Sequence, residues 1–150
     1  IDRVDKIAPN TFRVLDYKTG STYSYRVKEP FKGGRQLQYA LYAVALEAML
    51  RKTGHYSGAV VNEGGYIFPS IKGEGQRIIR RPIDRQALAD ILDSLFELMA
   101  NGCFNMSDTN DDCKFCDYSP VCCRSFLEVS LGKKLQDPDI VHFWGVRQFA

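Results

Sequence analysis

Between Thr11 and Lys18 the chain reads TFRVLDYK, with Phe12 and Val14 on alternate positions and charged or polar residues interleaved. A period of two is that of a strand whose successive side chains face opposite ways. The preceding IDRVDKIA (1–8) also predicts a strand, and Pro9-Asn10 between the two is a turn signal. STYSYRV (21–27) is β-rich and predicts a third strand, followed by a loop over EPFKGG (29–34). At Arg35 the period changes. In RQLQYALYAVALEAMLRK (35–52), Leu37, Leu41, Val44, Ala45 and Ala48 recur every three or four residues, and Gly54 is the stop.

YSGAVVNEGGYIFPS (56–70) predicts a hairpin turning at Gly64-Gly65, and QRIIRRPI (76–83) a shorter strand. DRQALADILDSLFELMANG (84–102) is a second amphipathic helix ending at Gly102. A cysteine-bearing loop is expected after Asp108, then a short helical stretch near 121–131; the last residues show no assignable period. Strands, helix, strands, helix predict one mixed α/β domain over residues 1–150, with a core to residue 102 and a cysteine-rich segment from 103 to 150.

At 150 residues and 45% apolar, the chain is long enough to bury a core without crosslinks. The net charge of +2 excludes a strongly polyanionic or polycationic character and hints only weakly at an anionic partner. No apolar run approaches the roughly 20 residues of a membrane span. The chain opens without Met and inside a strand, so it is expected to be a piece of a longer protein, with part of its site lying before Ile1.

Alternation along FRVLDYK places Asp16 and Lys18 on one face with Phe12 and Val14. With the turn near Pro9, antiparallel pairing sets Asp2 opposite Asp16. Two facing carboxylates repel unless a cation lies between them, and hard oxygen ligands suit Mg²⁺. Lys18 beside such an ion would orient a water or offset charge developing on a phosphate. A solvated surface ion pair is the alternative reading of a bare D-x-K. Gln38 and Tyr42, four apart on the helix, share a face and add a candidate polar pair.

All five cysteines fall between Cys103 and Cys123. Clustering of this kind argues against a disulfide scaffold and for a metal or cluster site in a reducing compartment, the cytoplasm. Cys113, Cys116 and Cys122 have the spacing C-x₂-C-x₅-C, which turns thiolates toward one centre. Zinc, an iron–sulfur cluster and free thiols all remain open on spacing alone.

IDRVD, VLDYKTG, QLQYALYA and the cysteine-rich tail, in this order, resemble the RecB-like branch of the PD-(D/E)XK nuclease superfamily. The likeness is greatest to AddB-type helicase–nuclease domains and CRISPR-associated exonucleases. It implies a restriction-endonuclease-like fold: a mixed central sheet flanked by helices. It further implies a Mg²⁺- or Mn²⁺-dependent DNA exonuclease, working with a helicase in recombination and repair.

Residue by residue, the resemblance makes Asp2 and Asp16 metal ligands, with the Tyr17 backbone carbonyl joining them. Lys18 becomes the catalytic lysine, and Gln38 and Tyr42 match a Q-x-x-x-Y helix motif against DNA. Cys113, Cys116 and Cys122 would supply three ligands of a 4Fe-4S cluster, the fourth coming from upstream. An earlier Glu or His that completes such metal sites has no counterpart here, neither His55 nor His142 being suitably placed.

Lys32, Arg35, Lys72, Arg77, Arg80 and Arg81 are candidate phosphate contacts, and Tyr23, Tyr25 and Phe31 candidate stacking residues. A non-catalytic DNA-binding or scaffolding module that keeps the fold is the competing expectation.

Overall fold

The computed structural model describes residues 1–25, 28–104, 107, 109, 113, 114, 116–118, 120, 121 and 140–149. Strands β1 (Arg3–Ala8) and β2 (Thr11–Tyr17) form the expected antiparallel hairpin around Pro9-Asn10, with Asn10 in the left-handed region at φ 55°. Helix α1 (Gln38–Lys52) then returns the chain so that β3 (Val60–Phe68) lies parallel to β2. A turn of 3₁₀ helix at Ile71–Gly73 reverses it again, and β4 (Gln76–Arg80) closes the order β1-β2-β3-β4. Helices α2 (Arg85–Ala100) and α3 (Val141–Arg147) pack on each other, and α1 lies on β2 and β3.

The inner sheet face is the one the alternation predicts. Phe12 and Val14 are buried there, and β3 adds Val61, Tyr66 and Phe68. Val61 and Tyr66 differ in parity, yet both point inward because the register slips at Asn62: Phe12 pairs with Val61 but Arg13 with Glu63. At this bulge the Val61 N–H donates to Glu47 Oε2 (2.8 Å), whose carboxylate also pairs with Arg51 and Arg85. Side-chain charge thus fastens α1 and the start of α2 to one irregular point of the sheet. On the outer face an ion-pair ladder, Arg3–Asp5–Arg13–Glu63–Arg81, crosses from β1 to the residue after β4. Asp5 is therefore structural, as its position on the opposite strand face predicts.

Four expectations are corrected. Residues 21–25 form turns, not a strand; the Tyr25 N–H donates to the Thr22 carbonyl (2.8 Å), and its ring packs on Tyr66 and Phe68. Helix α1 starts at Gln38 rather than Arg35, because the Gln36 side chain is committed to the Ser24 carbonyl and to Arg80. Its sheet-facing residues are Tyr39, Ala40, Ala43 and Leu46, whereas Leu41, Val44, Ala45 and Ala48 are exposed. Apolar residues populate both sides of this helix, so spacing alone did not identify the buried one. Alanines took the sheet side because they let the helix axis approach closely.

Gly64-Gly65 is the fourth. It lies within β3 rather than at a turn, and the hairpin is β3–β4. A Cβ on Gly64 would sit 3.1 Å from both the ring and the carbonyl of Tyr39, and one on Gly65 would overlap the Ile78 carbonyl oxygen. The pair is a close approach of backbones, the other meaning a strand glycine carries. The stretch expected to be helical near 121–131 falls, except for Val121, outside the described residues, and α3 was not anticipated. Gly65→Ala is expected to lower unfolding free energy by about 2–3 kcal/mol, while Gly20→Ala, with nothing within 4 Å of its added methyl, leaves it near wild type. Urea denaturation followed by circular dichroism measures both.

Candidate active site

Strand alternation and the first turn of α1 bring four predicted residues into one hydrogen-bonded chain. Asp16, at the end of β2, is buried, and its Oδ2 lies 2.6 Å from the Lys18 ammonium. Lys18 Nζ also donates to Gln38 Oε1 (2.7 Å), and Gln38 Nε2 donates to the Tyr42 hydroxyl (2.8 Å). Spacing of four residues on α1 makes the last link, and the helix N-terminus over β2 makes the middle one. Asp2 extends the β1–β2 register to stand opposite Asp16, and its Oδ2 accepts the Tyr17 N–H at 2.8 Å. Each carboxylate thus uses Oδ2 within the protein, and among the described residues neither Oδ1 has a hydrogen-bond partner.

Burial works against the Lys18 ammonium, but the Asp16 carboxylate outweighs it by hydrogen bond and charge, and the lysine pKa is held above its usual value. The Lys18 ammonium also lies over the Tyr66 ring, 5.4 Å from its centroid. Arg80 lies over the same ring at 5.4 Å and over Tyr39 at 4.6 Å. Burial raises both phenols, Tyr39 to about 12, so both stay protonated. Tyr66 and Gln36 were missed from the sequence. Tyr66 sits in an apolar strand, and only the parallel pairing of β3 with β2 places it beside Asp16.

A family model described as the PD-(D/E)XK nuclease superfamily matches residues 1–123. The chain belongs to that superfamily. No curated protein and no solved structure matches it. The four-stranded mixed sheet with its helices is the restriction-endonuclease-like α/β fold of PD-(D/E)XK nucleases. No helix among the described residues is long and apolar enough to cross a membrane.

The predicted nucleic-acid contacts separate by exposure. Arg35, Lys72, Arg77 and Arg81 are exposed and Lys32 is half-buried. Arg80 is the correction: at 3% exposure it is a core residue, donating to Gln36 Oε1 (2.6 Å) and stacked on two tyrosines, not a contact on the open surface. Phe31 is buried against Tyr39, and Tyr25 packs on Tyr66, so of the three candidate stacking residues Tyr23, at 82% exposure, is the open one.

Cys113 and Cys116 are half-buried free thiols joined through one turn, the Cys116 N–H meeting the Cys113 carbonyl at 3.3 Å. Cys122 lies outside the described residues. Among the described residues, no group of three or more His, Cys, Asp or Glu gathers closely enough to hold a metal ion.

Because Asp16 holds the lysine pKa up, Asp16→Asn is expected to lower it, burial then being opposed only by the weaker influence of Tyr25 and Tyr66. NMR titration of the Lys18 side chain reads this directly. In the wild type, the stabilisation that the raised Lys18 pKa contributes is present below the ordinary lysine value of 10.5, as long as Asp16 is ionised, and is lost as pH rises through the higher folded-state value.

Proposed function

We propose that this PD-(D/E)XK domain is a Mg²⁺- or Mn²⁺-dependent DNA exonuclease, acting beside a helicase in recombination and repair. One observation carries the reading: a buried Asp16 paired with half-buried Lys18, extended through Gln38 to Tyr42, with the Asp2 carboxylate across the hairpin. A pair taken out of water gains little net stability, and apolar residues of similar volume do as well. Its cost is best explained by chemistry at the site.

The donor set fits a hard cation. Asp2 and Asp16 would hold the ion through carboxylate oxygens, with the Tyr17 carbonyl beside them, and Mg²⁺ takes one or two protein carboxylates and keeps waters. When bound, the ion supplies positive charge to the phosphate and acidifies the attacking water. Lys18, protonated at every working pH, donates to the phosphate as charge builds there. Gln38 and Tyr42 fix where the ammonium points. Exposed Lys72, Arg77 and Arg81, with Lys32 and Arg35, bind the strand through its phosphates. On this reading an acidic or His residue from an earlier helix completes the site.

The soft donors form a separate set. Cys113 and Cys116, presented by one turn, with Cys122 would hold a 4Fe-4S cluster whose role is to clasp the tail to the core; zinc is the other soft-ligand occupant. Protein purified without oxygen is expected to show a broad band near ~400 nm; a colourless protein carrying zinc overturns the cluster.

Cleavage of single-stranded DNA, measured on the full native polypeptide with Mg²⁺ or Mn²⁺, tests the nuclease. Asp16→Ala is expected to abolish it, and Lys18→Ala to cut it by roughly 10²–10³-fold. Gln38→Ala, which frees the lysine, is expected to cost about 10-fold. Cleavage that survives Asp16→Ala refutes the site, and none in the wild type favours a non-catalytic DNA-binding scaffold.

A further inference from the structure

Helix α1 presents Gln38, the acceptor of the Lys18 ammonium, at its first position, yet its own residues do not fix that end. Leu37 stands at the N-cap without a side-chain hydrogen bond, and no acidic residue occupies the first turn. A helix start of this kind is held by whatever the preceding loop is tied to. Here the tie comes from the far end of the chain. The Gly33 N–H donates to the Phe149 carbonyl (2.5 Å), and the Gly33 carbonyl accepts from Arg147 Nη1 (2.5 Å). We propose that Arg147 is a positioning residue for the Lys18–Gln38 contact, acting through the loop over residues 31–36.

The loop is built to be held from outside. Lys32, Gly33 and Gly34 all lie in the left-handed region, at φ 47°, 60° and 80°. A lysine is strained there and keeps that backbone only where its surroundings impose it. Gly34 gives the room for this docking, since a Cβ on it would overlap Cγ1 of buried Val146. Arg147 is aimed from its own helix, its guanidinium 4.8 Å from the centre of the Phe143 ring one turn earlier. The path to the site is short. The Gln36 N–H donates to the Phe31 carbonyl (3.0 Å) and closes the loop, and the Gln36 side chain is held by the Ser24 carbonyl and Arg80. Gln38 follows two residues later, so a shift of Gly33 turns its amide away from Lys18.

A catalytic consequence rests on the nuclease reading, so one arm of the test is independent of it. Arg147→Met keeps the stem and loses the donor, while Arg147→Lys keeps one donor for the same carbonyl. Arg147 is half-buried, and losing one hydrogen bond there leaves the fold intact. In metal-free protein, the NMR resonances of the Gln38 side-chain amide are expected to move in Arg147→Met and to return in Arg147→Lys. They are expected to stay in place in Gly145→Ala, whose methyl meets only Ser94 and Gln148 at ordinary contact distance. With Mg²⁺, Arg147→Met is expected to lose up to about tenfold in kcat on single-stranded DNA at unchanged KM, no more than Gln38→Ala loses. Added to Gln38→Ala it is expected to cost nothing further, because both changes break one contact. Unmoved Gln38 resonances, unchanged cleavage by Arg147→Met, a cost confined to KM, or one that adds in full to that of Gln38→Ala overturns the proposal. Moved resonances in a protein that cleaves no DNA uphold the clamp while the nuclease reading fails.

Discussion

The ion pair of buried Asp16 and half-buried Lys18 is the constraint around which the other parts are arranged. A carboxylate at the end of a core strand loses most of its water, and an isolated charge there would cost several kcal/mol. The lysine two residues on, on the same face, returns part of that cost. The rest comes from neighbours: Gln38 accepts from the ammonium, and the Tyr66 ring lies beneath it. Placing Gln38 there requires the first turn of α1 to sit against the sheet at β2 and β3. The fold subordinates helix position to the satisfaction of this pair.

Close approach of α1 is what the sheet provides. Gly64 lets the Tyr39 ring and backbone come down onto β3, and the alanines of α1 do the same from above. Arg80 then fills the space between the aromatic rings, and its bond to Gln36 ties in the loop preceding the helix. A basic residue on a strand end thus acts as a core strut, with aromatic faces replacing part of its hydration. The bulge at Asn62 is a second device of this type, turning two parts of β3 to one face while Glu47 takes up the Val61 N–H.

Much of this was legible in the residues. The hairpin, the facing of Asp2 and Asp16, the neighbouring of Asp16 and Lys18, and the Gln38–Tyr42 pair all follow from periods of two and of four within contiguous stretches. Where local reading went astray, it met a contact from far along the chain. Gly64-Gly65 has the composition of a turn but serves a helix 25 residues earlier in sequence. Leu41 and Val44 keep helical spacing on the side away from the sheet. Arg80 stands among surface-type arginines and is buried by tyrosines from α1 and β3.

By itself, then, the sequence determined the faces on which Asp2, Asp16, Lys18, Gln38 and Tyr42 lie, because strand and helix periods are local properties of the backbone, and the order of its motifs carried the resemblance to the superfamily. The tertiary structure alone decided which side of α1 is buried, that β3 runs parallel beside β2, and that Lys18 and Arg80 share one aromatic ring. Those outcomes depend on packing between segments tens of residues apart, where shape and desolvation are settled jointly and no single stretch carries the information.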